Sequence, residues 1–293
     1  MTSERRAVLL MLAFVALWMF VETLAASVLR TYSPYQVVWT RYGVHLLLMF
    51  ALWGWREPAT LWTTRRPLYQ LARSMLMLGM PAFWITGMQP GNGGGAVMAF
   101  FWVTPLLILV LARIFLRESI DRWLWAAGAA ASVGAILAHG ESRLPPLASL
   151  VFPLGMALCF SAYVVMTRPL ARERMRTNLF YTALGVFLVL TPAMPALWVA
   201  PASHDLAVFV AVGLVGYLVL LTLDRMAAVA PVSLTAPVAS TFVGFSVLIG
   251  PLLGHQPPPH GVLLGLFLIA AVVLYIWMRT ARRTTPIALS DAA

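Results

Sequence analysis

Glu22 stands in FVETL, inside an otherwise oily run, AVLLMLAFVALWMFVETLAASVL. A carboxylate at the centre of a bilayer costs about 2.5–3.5 kcal/mol on insertion scales, so such a residue faces protein or water and marks a functional site by default. Trp18 lies one helical turn earlier, on the same face. A second charge, Arg41, sits in SPYQVVWTR. Glu22 is as far below Leu29, where the first run ends, as Arg41 is below Pro34, where the second begins. At 1.5 Å per residue both lie about 10 Å under the same surface. The matched depths predict a Glu22–Arg41 ion pair, with His45 one turn deeper on the Arg41 face. Such a pair locks the first two segments together, contacts a substrate, or carries a proton.

Aromatic residues form a second set. Trp84, Trp102, Tyr163, Tyr217 and Phe242 fall within apolar runs rather than at their ends. They either line a cavity suited to flat, amphiphilic solutes or simply pack. Pro81, Pro105, Pro153 and Pro237 interrupt apolar runs, and each frees a carbonyl about one turn earlier. In a membrane such breaks survive only beside protein or a wet cavity. They serve as hinges or shape curved helices. The linker QPGNGGG lets the chain turn sharply, and Asn92 is placed to cap the helix that follows. AAGAAASVGA, with Gly128 and Gly134, reads as a close-packing helix face. The histidines His139, His204, His255 and His260 read as surface residues. No G-x-S-x-G, H-E-x-x-H, paired carboxylate or metal-ligand spacing stands out, and Cys159 is the only cysteine. A metal, a cofactor and an enzyme active site are therefore not expected, although a membrane-embedded enzyme acting on a small or lipid substrate is the alternative kept.

The elements that must hold these residues are evident in the composition. The 293 residues are 61% hydrophobic and 10% charged, far below the charge of an ordinary soluble chain. Apolar runs of membrane-spanning length recur at roughly 7–29, 34–54, 68–88, 93–115, 121–139, 147–168, 178–199, 206–226, 231–253 and 261–280. All twenty basic residues are arginine. With a cytoplasmic N-terminus, the inside connections hold most of them, including Arg5, Arg6, Arg65, Arg66, Arg73, Arg113 and Arg176. Only Arg30 and Arg143 fall outside, and Arg41 lies within the second run. This bias supports ten spans with both termini inside, and it gives the basic charge a topological role rather than a nucleic-acid partner.

The chain also repeats itself weakly. AVMAFFWVTPLLILVLARIFLRES followed by AAGAAASVGAILA corresponds to APVSLTAPVASTFVGFSVLIGPLLGHQ followed by GVLLGLFLIAAVVLY. An odd number of helices per half makes the two copies inverted in the membrane. The expected fold is thus all-α and integral to the membrane: ten transmembrane helices in two inverted five-helix repeats, 1–145 and 146–281, around a central cavity, with a disordered cytoplasmic tail at 282–293.

Leu17–Trp18, Pro34 with Arg41, Pro105 with Glu118 in LRES, Gly128 with Gly134, ALCFSAYVVMTRPL, and LVGYLVLLTLDRMAAVAPVS occur in an order that resembles the EamA-type drug/metabolite transporters. The second half departs from the pattern: His255–Gln256 stands where a glutamate is expected, and no proline falls near Phe242. The resemblance implies a secondary transporter of a bacterial inner membrane that exports small metabolites by alternating access. Amino acids are the first expectation, aromatic ones especially. Trp18, Glu22, Arg41, His45, Trp84, Trp102, Tyr163, Tyr217 and Phe242 are the expected substrate-binding residues. The partners would be that small-molecule substrate and the lipid bilayer.

Overall fold

The computed structural model describes residues 2–140, 146–252 and 260–282. Arg143, His255, Gln256 and the tail from 283 onward lie outside the described residues, so the expectations placed on them rest where the sequence left them.

All regular structure among the described residues is helical. Among the described residues, ten helical segments follow the apolar runs to within a few residues: α1 Ser3–Val28, α2 Pro34–Gly54, α3 Pro67–Gly87, α4 Gly94–Phe115, α5 Arg122–Ala138, α6 Leu147–Arg172, α7 Met175–Leu197, α8 Ser203–Val229, α9 Val232–Ile249 and α10 His260–Ala281. Eight of them are long and apolar enough to cross a membrane. The other two differ for visible reasons. α5 has only 17 residues, and α3 carries Gln70, Arg73 and Ser74 on its buried face.

Local chemistry sets the ends. Thr2 caps α1, its hydroxyl accepting the Arg5 N–H at 3.3 Å. Pro34 and Pro67 open α2 and α3, where a missing N–H costs nothing. Between α3 and α4, Gly91, Gly93 and Gly94 all take positive φ, which side-chain-bearing residues resist. Asn92 does not cap α4. Its side chain donates to Thr86 O at 2.8 Å and closes the end of α3 instead, because Gly93 in the left-handed region turns the chain between them.

α4 and α9 share one irregularity. Each begins with a short α-turn, tightens into 3-10 helix at Ala99–Val103 and Ala236–Ser240, and then resumes. Pro105 lies just beyond the first tight stretch and Pro237 within the second. The missing proline near Phe242 therefore does not leave α9 unbroken, since Pro237 interrupts it one turn earlier. Hydroxyls take up the loosened carbonyls: Thr104 bonds Phe101 O at 2.5 Å, Ser240 bonds Pro237 O at 2.7 Å, and Thr241 bonds Val238 O at 2.7 Å.

α1 lies along α8, α3 along α6, and α5 along α10; α2 touches α7 and α8, and α3 also touches α7. Arg5 over the Trp277 ring, 4.9 Å from its centroid, places the start of α1 beside the end of α10. That face is called the terminal side below. The small-residue stripe on α5 is a helix contact, as the sequence suggested. A Cβ on Gly134 would meet Gly265 O at 3.0 Å, and one on Gly265 would meet Gly134 O at 2.4 Å and Ala138 N at 2.5 Å. The colliding atoms are backbone and cannot swing away. Gly265→Ala is therefore expected to force α5 and α10 apart at about 1–3 kcal/mol, read as a lower melting temperature in detergent. Unchanged melting would show that the close approach is dispensable.

Candidate functional site: a charged, aromatic-lined cavity

A cavity of about 600 Å³ occupies the middle of the helices. Its floor is set by Met77 on α3 and by Leu220 and Leu223 on α8, and its walls reach the opposite end of the molecule at Leu29, Pro34 and His139. His139 is exposed, as expected of a surface residue, and also borders the cavity.

One wall is a cluster of rings centred on Trp18. Phe242 lies 4.6 Å away between centroids, Phe160 5.2 Å, Phe14 5.6 Å and Phe101 6.3 Å. Trp102 extends the cluster, 5.0 Å from Phe101 and 5.5 Å from Phe242. The broken helices explain the placement. Phe101 and Trp102 belong to the 3-10 stretch of α4, and Phe242 follows directly on that of α9. Trp84 faces the same space from α3.

The predicted ion pair is present. Arg41 Nη1 stands 3.9 Å from Glu22 Oε1, and Trp18 Nε1 donates to the same oxygen at 3.1 Å. Both charged residues line the cavity. The Glu22 side chain is 47% exposed and that of Arg41 18% exposed, so the carboxylate faces open space. At 3.9 Å the pair exceeds hydrogen-bond reach. It is a Coulombic contact that leaves room on both groups for a third partner. Arg41 Nε has no hydrogen-bond partner, and the guanidinium lies 5.8 Å from the Tyr42 ring centroid.

Gly216 of α8 fixes where Arg41 can lie. A Cβ there would come within 2.5 Å of Arg41 Nε, so the arginine runs across the bare backbone of α8 to reach the cavity. Nothing in the sequence marked this residue; the quoted LVGYLVLL contains it without showing that α2 crosses there.

Of the expected site residues, Trp18, Glu22, Arg41, Trp84, Trp102 and Phe242 line the cavity. His45, Tyr163 and Tyr217 do not. His45 is buried behind Arg41 and meets Tyr217 edge-on, centroids 5.0 Å apart. Tyr163 lies below the floor, with Arg73 over its ring at 4.9 Å and its hydroxyl 3.4 Å from Thr182. Depth along the helix was legible for His45 and Tyr217, but rotation was not; Tyr163 differs in depth as well.

Arg73 itself corrects the charge count. It is not a loop cation marking topology but a wholly buried side chain inside α3, 3.3 Å from Asp224 of α8. Its position two turns inside an apolar run, beside Gln70 and Ser74, was the available signal. Glu118, quoted for the family pattern, also has a partner. Its carboxylate accepts the Val232 and Ser233 N–H groups at 3.3 and 3.2 Å and the Ser233 hydroxyl. An anion at a helix N-terminus is favoured by the unpaired N–H groups and the helix dipole, and here it pins the end of α4 to the start of α9.

An all-helical protein with eight membrane-length apolar helices and a charged cavity among them is a multi-pass membrane protein. Residues 5–139 match the EamA-like transporter family. S-adenosylmethionine uptake transporters are similar to it: one of Rickettsia conorii (strain ATCC VR-613 / Malish 7) is 26% identical over 217 residues, 73% of this chain and 72% of that protein. One of Rickettsia bellii (strain RML369-C) is also 26% identical, covering 73% of each. A protein of known crystal structure superimposes with a TM-score of 0.79 over 95% of this chain and 99% of its own, at 17% identity, a likeness of fold. Family and relatives are transporters rather than enzymes.

The geometry at Gly216 yields a test. Gly216→Ala is expected to displace the Arg41 guanidinium and weaken solute binding, while the same change in an Arg41→Gln background adds little. The two substitutions should therefore couple by about 0.5–3 kcal/mol in a double-mutant cycle on solute-induced thermal stabilisation. Additive effects would show that Gly216 does not act through Arg41.

Proposed function

We propose that the chain is a secondary transporter for a small metabolite with an α-amino-acid head and a flat or amphiphilic body. The observation that carries this reading is the loose Glu22–Arg41 pair, both groups open to one aromatic-lined cavity. An ammonium approaching Glu22 and a carboxylate approaching Arg41 would each gain a charge-assisted bond, worth about twice a neutral one. The rings around Trp18 would hold the remainder by stacking and by attraction to any cationic centre. The volume falls within the usual range for small-molecule sites, about 300–1,000 Å³.

Two solute types share that head. Aromatic amino acids follow from the rings and from the family resemblance. S-adenosylmethionine, taken up by the similar rickettsial proteins, adds a sulfonium and a flat base, and both suit aromatic faces. Export and import remain alternative directions of the same carrier.

Alternating access would proceed by rocking of two inverted five-helix halves, 1–145 and 146–281, in ten spans. The helix pairing supports this arrangement. Moving every helix five places along exchanges α1·α8 with α6·α3 and returns α5·α10 and α2·α7 to themselves. The shared break in α4 and α9 obeys the same exchange. We place the carrier in a bacterial inner membrane with both termini cytoplasmic, a reading that rests on the arginine distribution.

Proteoliposomes supply the test. Saturable counterflow of labelled phenylalanine or S-adenosylmethionine, with and without a pH gradient, is expected for at least one of them. The corresponding amide, which lacks the carboxylate, and the deaminated acid, which lacks the ammonium, should compete at least about tenfold more weakly, the loss that one charge-assisted bond implies. Counterflow of neither solute, or equal competition by head-modified analogues, would overturn the reading.

A further inference from the structure

Beneath the cavity lies a second polar cluster that solute binding does not use. On α3, Met77 lines the floor and Arg73 stands one turn nearer the terminal side. On α8, Leu220 and Leu223 line the floor and Asp224 follows directly. Arg73 is 0% exposed, and Asp224 is buried with it.

The guanidinium reaches three helices of the second half at once. Nη1 contacts Asp224 Oδ1 of α8 at 3.3 Å and Thr167 Oγ1 of α6 at 3.0 Å. Nη2 donates to Asn178 O at 2.8 Å and Thr182 Oγ1 at 2.9 Å, both on α7. Gln70, one turn before Arg73, donates to Asn178 Oδ1 at 2.6 Å, and Asn178 donates in turn to Leu170 O at 3.0 Å. The Tyr163 ring covers the guanidinium face. One α3 side chain thus gathers α6, α7 and α8 directly below the floor.

Energetics separate a permanent staple from a catch. A buried ion pair is a weak source of net stability, because desolvation offsets most of the attraction. A buried network that leaves a donor unmet is weaker still, and Arg73 Nε has no hydrogen-bond partner. Such a cluster specifies one arrangement strongly while holding it shallowly. Water entering from the terminal side would repay the desolvation of both ions as the helices part.

We propose that the Arg73–Asp224 cluster is the latch that seals the cavity on the terminal side, and that it opens by separating α3 from α6, α7 and α8. The proposal rests on the alternating-access reading above, but its test does not use transport. Cys159, the only cysteine, is replaced by serine and Met80, a part-exposed residue of the cavity wall one turn above Met77, by cysteine, placing one thiol just above the floor. A membrane-impermeant methanethiosulfonate reagent is then applied from each face of oriented vesicles.

With the cluster intact, the thiol should label from the cavity's open side and slowly from the terminal side. Asp224→Asn should raise the terminal-side rate by about tenfold, the change expected when one arrangement of a two-state element loses a modest preference. Thr182→Val, which removes one hydroxyl with its bonds to Arg73, Tyr163 and Asn178 O but spares the charges, should raise it by a smaller factor and keeps the test available if Asp224→Asn does not fold. An unchanged terminal-side rate in variants that remain monodisperse would overturn the proposal, and reduced melting temperature with unchanged labelling would mark the cluster as a fixed staple. Solute counterflow with unresponsive labelling sinks the latch alone. Responsive labelling in a chain that moves neither solute keeps the latch and sinks the transport assignment.

Discussion

Charges inside a hydrocarbon slab must find water or one another, and the folded chain meets that demand at two depths in opposite ways. Glu22 and Arg41 stand 3.9 Å apart, beyond hydrogen-bond reach, with the carboxylate facing a cavity. Arg73 and Asp224 stand 3.3 Å apart with no exposure to speak of, wrapped by hydroxyls and a backbone carbonyl. A separation near 4 Å corresponds to about 4 kcal/mol of attraction at an effective dielectric of 20. That is comparable with the cost of placing one charge at bilayer depth. Neither pair is tolerable in lipid alone, so the cavity and the tight cluster are what allow these sequences to sit in the membrane.

The surrounding helices are shaped to that requirement. Arg41 reaches the cavity only because Gly216 leaves the backbone of α8 bare beneath it. Trp18 holds Glu22 Oε1 from one turn away and at the same time anchors the ring cluster. The broken stretches of α4 and α9 tighten the backbone where Phe101, Trp102 and Phe242 must point inward, and Thr104, Ser240 and Thr241 take up the carbonyls that the breaks loosen. Glu118 then fixes the end of one broken helix to the beginning of the other.

Much of this was legible in the chain. Hydrocarbon runs of membrane length are long, redundant signals, and the helices follow them closely. The Glu22–Arg41 pair could be read because both residues lie near the turn that joins their helices, so depth could be measured from a shared surface. Other contacts had no such common origin. Arg73 and Asp224 are separated by about half of the chain, and Arg73 was read as one more topological arginine because a charge near a helix end has two meanings that one-dimensional order does not distinguish. His45 and Tyr217 had suitable depth but the wrong rotation, a quantity that apolar helices do not encode when every face is hydrophobic, and Tyr163 lies too deep, below the cavity floor. Gly216 carried no signal, since a glycine that makes room for a side chain matters only through a partner on another helix.

The two ends of the molecule are stitched in different places, and the difference bears on the proposed path of a solute. Away from the termini, Tyr32 donates to Asp205 at 2.7 Å, and Gln36 exchanges hydrogen bonds with Val199 at 2.6 and 3.0 Å. These bonds join Tyr32 of the α1–α2 loop to the start of α8 and Gln36 of α2 to the connection between α7 and α8, and leave the cavity wall at Leu29, Pro34 and His139 clear of them. On the terminal side the bonds lie on the axis, with Arg73 at their centre and Arg168 bound to Ala227 O just beyond. A peripheral clasp keeps helices together while a passage stays open, whereas an axial one can hold only when the passage is shut. On the proposed alternating-access reading, rearrangement would begin at the axial cluster, where the interactions are numerous in geometry but shallow in net free energy, and the loose pair above it would be the place where the proposed zwitterion alters the spacing of α1, α2 and α8.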